Sequence, residues 1–175
     1  WFDDPVLSTF INYPEADLAR IVFHELAHQV VYVRDDTQFN ESFAATVEEE
    51  GVRRWLARQP DSGVEMQRWM TARARQSALL AMIFSHRDAL VDIYASALGD
   101  TEKCRAKSQQ FGRMIEDYGA LRKAWDGYAG YDRLFLNAPN NALLASLAAY
   151  SEFVPGFSAL VRKHEGDMTA FYREV

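Results

Sequence analysis

The 175-residue sequence predicts a mainly α fold with little or no β-sheet. A helical hairpin and its lead-in occupy residues 1–58 and a helical bundle residues 59–175, within one domain. Three observations predict this. Leu18, Val22, Leu26 and Val30 recur at i+4 spacing, the period of a helix and not the alternation of a half-buried strand. The later apolar positions run in long stretches bounded by cap and breaker residues. Strand character is confined to the first dozen residues and to the stretch near Tyr131 to Leu136.

The first helix opens at Pro14, which suits a first turn, and Glu15 and Asp17 favour the positive end of its dipole. Arg34-Asp35-Asp36-Thr37 is a polar break, and a second helical pattern through Val47, Val52 and Leu56 makes the pair a hairpin. Asp61 or Ser62 can cap a long segment through Met66, Trp69, Leu79, Ile83, Leu90 and Tyr94 that ends by Gly99, as one helix or two. Thr101 can cap the next, which passes Cys104, Phe111, Met114 and Leu121 and fails near Gly127 and Gly130. Ala142 to Tyr150 reads as a short helix after Pro139, Pro155 can open another, and Gly166-Asp167 ends that one and caps a last segment. With 49% hydrophobic residues the chain can bury a sizeable core, and no apolar run approaches a membrane span. The single Cys104 cannot form an internal disulfide and is expected as a buried small hydrophobe.

The chemistry is concentrated in the first helix. His24-Glu25-Leu26-Ala27-His28 sets two imidazoles four residues apart, so they project from one helix face one turn apart and can grip one ion. Glu25 is left beside that ion, where a carboxylate can take a proton from an attacking water. A catalytic zinc commonly takes three protein ligands and keeps one position open. If the hairpin folds about Arg34 and Asp35, the residue as far beyond the turn as His28 lies before it is Glu41, which supplies the third ligand. By the same reflection Glu48 falls level with His24 and shares the face of Glu41, seven residues on, so it can fix an imidazole through its other nitrogen. Ala44 and Ala45 between them are small enough for close approach, and Glu49 and Glu50 read as a solvated acidic face.

His-Glu-Leu-Ala-His-Gln followed by Asn-Glu-Ser-Phe-Ala and Val-Glu resembles the gluzincin metallopeptidases, particularly their aminopeptidase branch. The resemblance implies a zincin-type helical hairpin, one Zn2+ per chain, His24, His28 and Glu41 as ligands, and Glu25 as general base. The gap from His28 to Glu41 is shorter than in that branch, Ser42 stands where it has glycine, and no Gly-Ala-Met-Glu-Asn type segment is present. Together with Trp1 to Phe10, Gly51 to Leu56 and Asn140-Asn141-Ala142, the hairpin looks like a bacterial family of predicted zinc aminopeptidases, from end to end. Members are longer at the amino terminus and often begin with a lipoprotein signal, which implies a bacterial cell-envelope location, periplasmic and lipid-anchored in the full-length protein. The chain opens on Trp1 without an initiator methionine and is therefore expected to be an amino-terminally shortened member whose sheet lies in the missing part.

A formal net charge of −6 with scattered Lys and Arg argues against nucleic acid or anionic lipid as a partner. The expected partner is a peptide or small amide. Hydrolysis also needs an electrophile for the developing oxyanion. Of Tyr128, Tyr131, Tyr150, His86 and His164, Tyr131 ranks first because it lies in the glycine-broken loop, where a side chain can be aimed freely. The expected function is a zinc-dependent metallopeptidase of aminopeptidase type. The alternatives are a helical interaction module with a structural or vestigial zinc, and a zinc hydrolase acting on a non-peptide substrate.

Overall fold

The computed structural model describes residues 13–60, 62–136 and 139–175. The chain is mainly α, with eight helices and no strand among the described residues: α1 (Glu15–Val30), α2 (Thr37–Leu56), α3 (Gly63–Ala95), α4 (Asp100–Ala124), α5 (Asp132–Leu136), α6 (Asn141–Ser151), α7 (Val154–Lys163) and α8 (Met168–Glu174). None of them is long and apolar enough to cross a membrane. The first dozen residues, where a strand was expected, lie outside the described residues.

Two compact units divide the chain, one made of residues 1–69 and 149–175 and the other of 70–148. In the first unit α1 and α2 form the expected hairpin. Asp36 caps α2 by accepting from the Phe39 N–H at 2.9 Å. The turn reaches it through Asp35 at φ 64°, a left-handed conformation that aspartate tolerates. The helices approach closely because Ala27 and Ala44, both buried, meet between them. At Gly51 a Cβ would fall 2.6 Å from Cγ of Phe23, so only glycine lets the Phe23 ring lie against α2.

Phe43 anchors the core of this unit. It stacks on Phe171 with ring centroids 5.8 Å apart and meets Phe157 edge-on at 5.9 Å. Residues 149–175 therefore pack with the hairpin through α7 and α8. Asp167 caps α8 by accepting from the N–H groups of Thr169 and Ala170, after Gly166 at φ 82°. The i+4 stripe that marks α1 as a helix does not face this core: Val22, Leu26 and Val30 are exposed, and Ala27 is the buried residue of α1. The side of α1 that carries Phe23 and Ala27, continued by Val31 just beyond the helix end, faces α2 and its neighbours.

The second unit is built on Leu79, Ile83, Leu90, Phe111, Met114, Tyr118 and Leu144. Four expectations are corrected or settled along the chain. The segment from Ser62 to Gly99 holds a single helix, α3. The α4 cap is Gly99 and not Thr101, which lies inside the helix; Glu102 accepts from the Gly99 N–H at 3.1 Å. Residues 132–136, read as strand-like, form α5. So short a run carries too little periodicity to separate helix from strand, and Phe135 is held by stacking on Tyr118 at 4.1 Å. Cys104 is exposed, on the solvent side of α4, and not buried.

Candidate metal centre

α1 presents His24 and His28, and α2 presents Glu41 opposite them. The three offer one ligand atom each, all within 4.8 Å of one another. Nε2 of His24 lies 3.3 Å and Nε2 of His28 3.8 Å from the Glu41 carboxylate oxygens. Ligands held about 2.0–2.2 Å from a tetrahedral ion sit roughly 3.4 Å apart, so the separations match a shared ion. Each of the three side chains is 20–23% exposed, half-buried and open on one side. Glu25, next along α1, is exposed.

Behind the cluster Glu48 is 6% exposed, and its Oε2 accepts from Nδ1 of His24 at 2.9 Å. A proton on Nδ1 leaves Nε2, the nitrogen that faces Glu41, to offer its lone pair to an ion when the ring is neutral. Arg20, one turn before His24, meets the same Glu48 carboxylate at 3.4 Å. The His24 pKa is raised above its usual value, chiefly by the hydrogen bond to Glu48, against the opposing effect of burial, with the charges of Glu48, Glu41 and Glu25 adding to the rise. Imidazole nitrogens thus face carboxylate oxygens in a pocket of negative charge that Arg20 offsets only in part. A cation is what this donor set accommodates.

His28 is held differently. Its Nδ1 is buried and finds no hydrogen-bond partner among the described residues. Ring edges orient it instead: His24 at 5.0 Å and Tyr32 at 6.5 Å, both near perpendicular. Asn40, just before Glu41, is 3% exposed and clamps the chain that leaves α1. Its Oδ1 accepts from the Val33 N–H at 2.8 Å and its Nδ2 donates to the Val33 carbonyl at 2.7 Å.

The hairpin thus brings together His24, Glu25, His28, Glu41 and Glu48. Tyr131 belongs to the second unit, where it packs edge-on against Trp125 at 6.0 Å and Tyr128 at 5.8 Å, and burial raises its pKa. His86 is a satisfied buried histidine, with Asp117 2.9 Å from Nε2 and the Gln110 amide 2.8 Å from Nδ1. His164 pairs with Glu174 at 2.5 Å. Asn140 caps α6 through the Leu143 N–H at 3.1 Å. Glu50 does not join a solvated acidic face: it is bound by Arg53 at 2.7 Å and Arg54 at 2.6 Å. Sequence reasoning missed Arg20, Asn40 and Tyr32. Arg20 carried a signal, since it lies four residues before His24 and so on its helix face; Tyr32 lies beyond the end of α1, where the helical period no longer applies.

No curated protein and no solved structure matches the chain. A family model described as "Putative aminopeptidase" matches residues 1–175, and the chain belongs to that family.

Proposed function

We propose that the chain is a zinc-dependent hydrolase of peptides or small amides, of aminopeptidase type, with His24, His28 and Glu41 as the ligands. The observation that supports this best is the convergence of Nε2 of both histidines on the Glu41 carboxylate across 3.3 and 3.8 Å, with an exposed carboxylate at Glu25 beside them. A bound zinc would supply a Lewis acid for the scissile carbonyl and for the attacking water.

The chain's own groups do the rest. Glu48 keeps the His24 proton on Nδ1 and the ring fixed, so that Nε2 remains a donor to the ion. Glu25 accepts the proton of the attacking water and returns it to the departing amine, the work of a general base that then becomes a general acid. The half-open cluster leaves one side for the substrate. The family description supports hydrolysis of an amino-terminal residue, which requires an acidic group for the free amine. The bacterial envelope location implied by the resemblance belongs to the same proposal.

A purely structural zinc is the competing reading, and the position of Glu25 favours catalysis, because a structural site has no use for a carboxylate at the rim of a half-open cluster. The test is metal content by mass spectrometry, followed by hydrolysis of a panel of aminoacyl-p-nitroanilides and short peptides. About one zinc per chain in the wild type, lost in His28→Ala and Glu41→Ala, with hydrolysis abolished and zinc retained in Glu25→Gln, is the expected result. Zinc retained without any hydrolysis would favour the structural reading.

A further inference from the structure

The metal-site unit holds a hydroxyl that the sequence reading passed over. Tyr32 follows His28 by four residues, and its ring meets the His28 ring edge-on, with centroids 6.5 Å apart and planes at 79°. It is 68% exposed and so largely open to solvent beside the half-buried His28. α1 has already ended there: Val31 is extended at φ −137° and ψ 128°, and its N–H makes the last bond back to Ala27. Tyr32 is thus aimed by the chain's exit from the helix and not by the helical period.

That exit is not loose. Asn40 binds both backbone groups of Val33, the residue next to Tyr32, and Asn40 itself is buried one position before the ligand Glu41. One amide side chain therefore ties the residue after Tyr32 to the position before Glu41. An exposed tyrosine whose only task is to cover apolar surface has no need of a buried two-point clamp on its neighbour. Of the other tyrosines in this unit, Tyr172 is committed to the aromatic core through Phe43 and Phe171.

We propose that Tyr32 touches the substrate and donates its hydroxyl to the carbonyl oxygen as negative charge develops there. The inference rests on the hydrolase reading above. The hydroxyl donates a hydrogen bond and keeps its proton, so the proton balance of the reaction stays with Glu25. A donor of this kind acts on charge present in the transition state and absent from the bound substrate, and its loss lowers kcat with little change in KM.

The test compares zinc-loaded wild type, Tyr32→Phe and Tyr131→Phe on the aminoacyl-p-nitroanilide panel, and titrates each with a phosphinic dipeptide analogue that mimics the tetrahedral state. Tyr32→Phe keeps the ring and removes only the hydroxyl. Expected are unchanged zinc content, a kcat lower by about 100- to 1,000-fold, a KM within about twofold, and phosphinate affinity weakened by a similar factor. Unchanged kcat and phosphinate affinity in Tyr32→Phe, or the loss appearing in Tyr131→Phe instead, would overturn the assignment while leaving the hydrolase reading intact. A zinc-loaded wild type that neither hydrolyses the panel nor binds the phosphinate would overturn both.

Discussion

Nδ1 of His24 and Oε2 of Glu48 lie 2.9 Å apart, linking the first imidazole of α1 to a buried carboxylate on α2. The bond fixes which nitrogen of His24 faces Glu41. It also makes the donor set depend on helix register, since Glu48 and Glu41 are seven residues apart on one face of α2.

Replacing Glu48 by Gln keeps the shape and removes the charge. Zinc affinity, measured by competition with a chromophoric chelator, is expected to fall about 10- to 100-fold, the usual cost of losing a ligand's supporting carboxylate. An unchanged dissociation constant would show that the bond does not hold His24 for the metal.

Binding of zinc to the folded hairpin alone must raise stability. At zinc about 100-fold above its dissociation constant the gain is about 2.7 kcal/mol, read as a shift in the urea midpoint that a chelator reverses. His28→Ala should show no such shift.

Gly51→Ala places a Cβ against the Phe23 ring at 2.6 Å. Alanine gains about 1 kcal/mol in helix propensity, but the clash costs up to about 3 kcal/mol, for a net loss of about 1–2 kcal/mol. Urea melts should show this loss, and a Phe23→Leu background should shrink it. An additive double mutant would place the strain elsewhere.

Asn40→Ala leaves the N–H and C=O of Val33 without their partner and should cost about 1–3 kcal/mol. Asn40→Asp keeps the acceptor for the Val33 N–H and turns the donor into an anion beside the Val33 carbonyl. It is therefore expected to be no more stable than the alanine variant in urea melts at neutral pH.

Glu50 titrates below its ordinary 4.5, first because Arg53 and then because Arg54 hydrogen-bonds its carboxylate, against the opposing effect of burial. A carboxylate with a lowered folded pKa stabilises the protein above the unfolded value and loses that contribution as pH falls through the folded value. Both arginines are substantially exposed, so the contribution at neutral pH is about 1 kcal/mol. Glu50→Gln should lose that much in urea melts at neutral pH and progressively less as the pH falls through the lowered folded value, where the wild-type carboxylate becomes protonated. A difference that persists in acid would contradict the ionic origin.

Much of this was legible in the chain. The H-E-x-x-H spacing, the polar break at Arg34 to Thr37 and a simple reflection about it select Glu41 and Glu48, because a hairpin maps distance from the turn onto height along the partner helix. Caps such as Asp167 declared themselves, since their chemistry is local. What could not be read depends on contacts distant in sequence. Arg20 acquires its role only when Glu48 arrives from α2, Asn40 only when Val33 bends back to it, and Cys104 shows a solvent side that a helical period does not declare. The exposed stripe of Val22, Leu26 and Val30 gave the right element for α1 but named the face turned away from α2.

The stacking of Phe43 on Phe171 also carries a consequence in time. The ring that seals the core of the hairpin comes from α8, far along the chain from Phe43 on α2. Contacts so distant in sequence close late, because the intervening loop must first give up its entropy. On the ribosome α1 and α2 leave the tunnel well before α8, so Phe43 waits unsealed and the core of the hairpin closes only once α8 has followed.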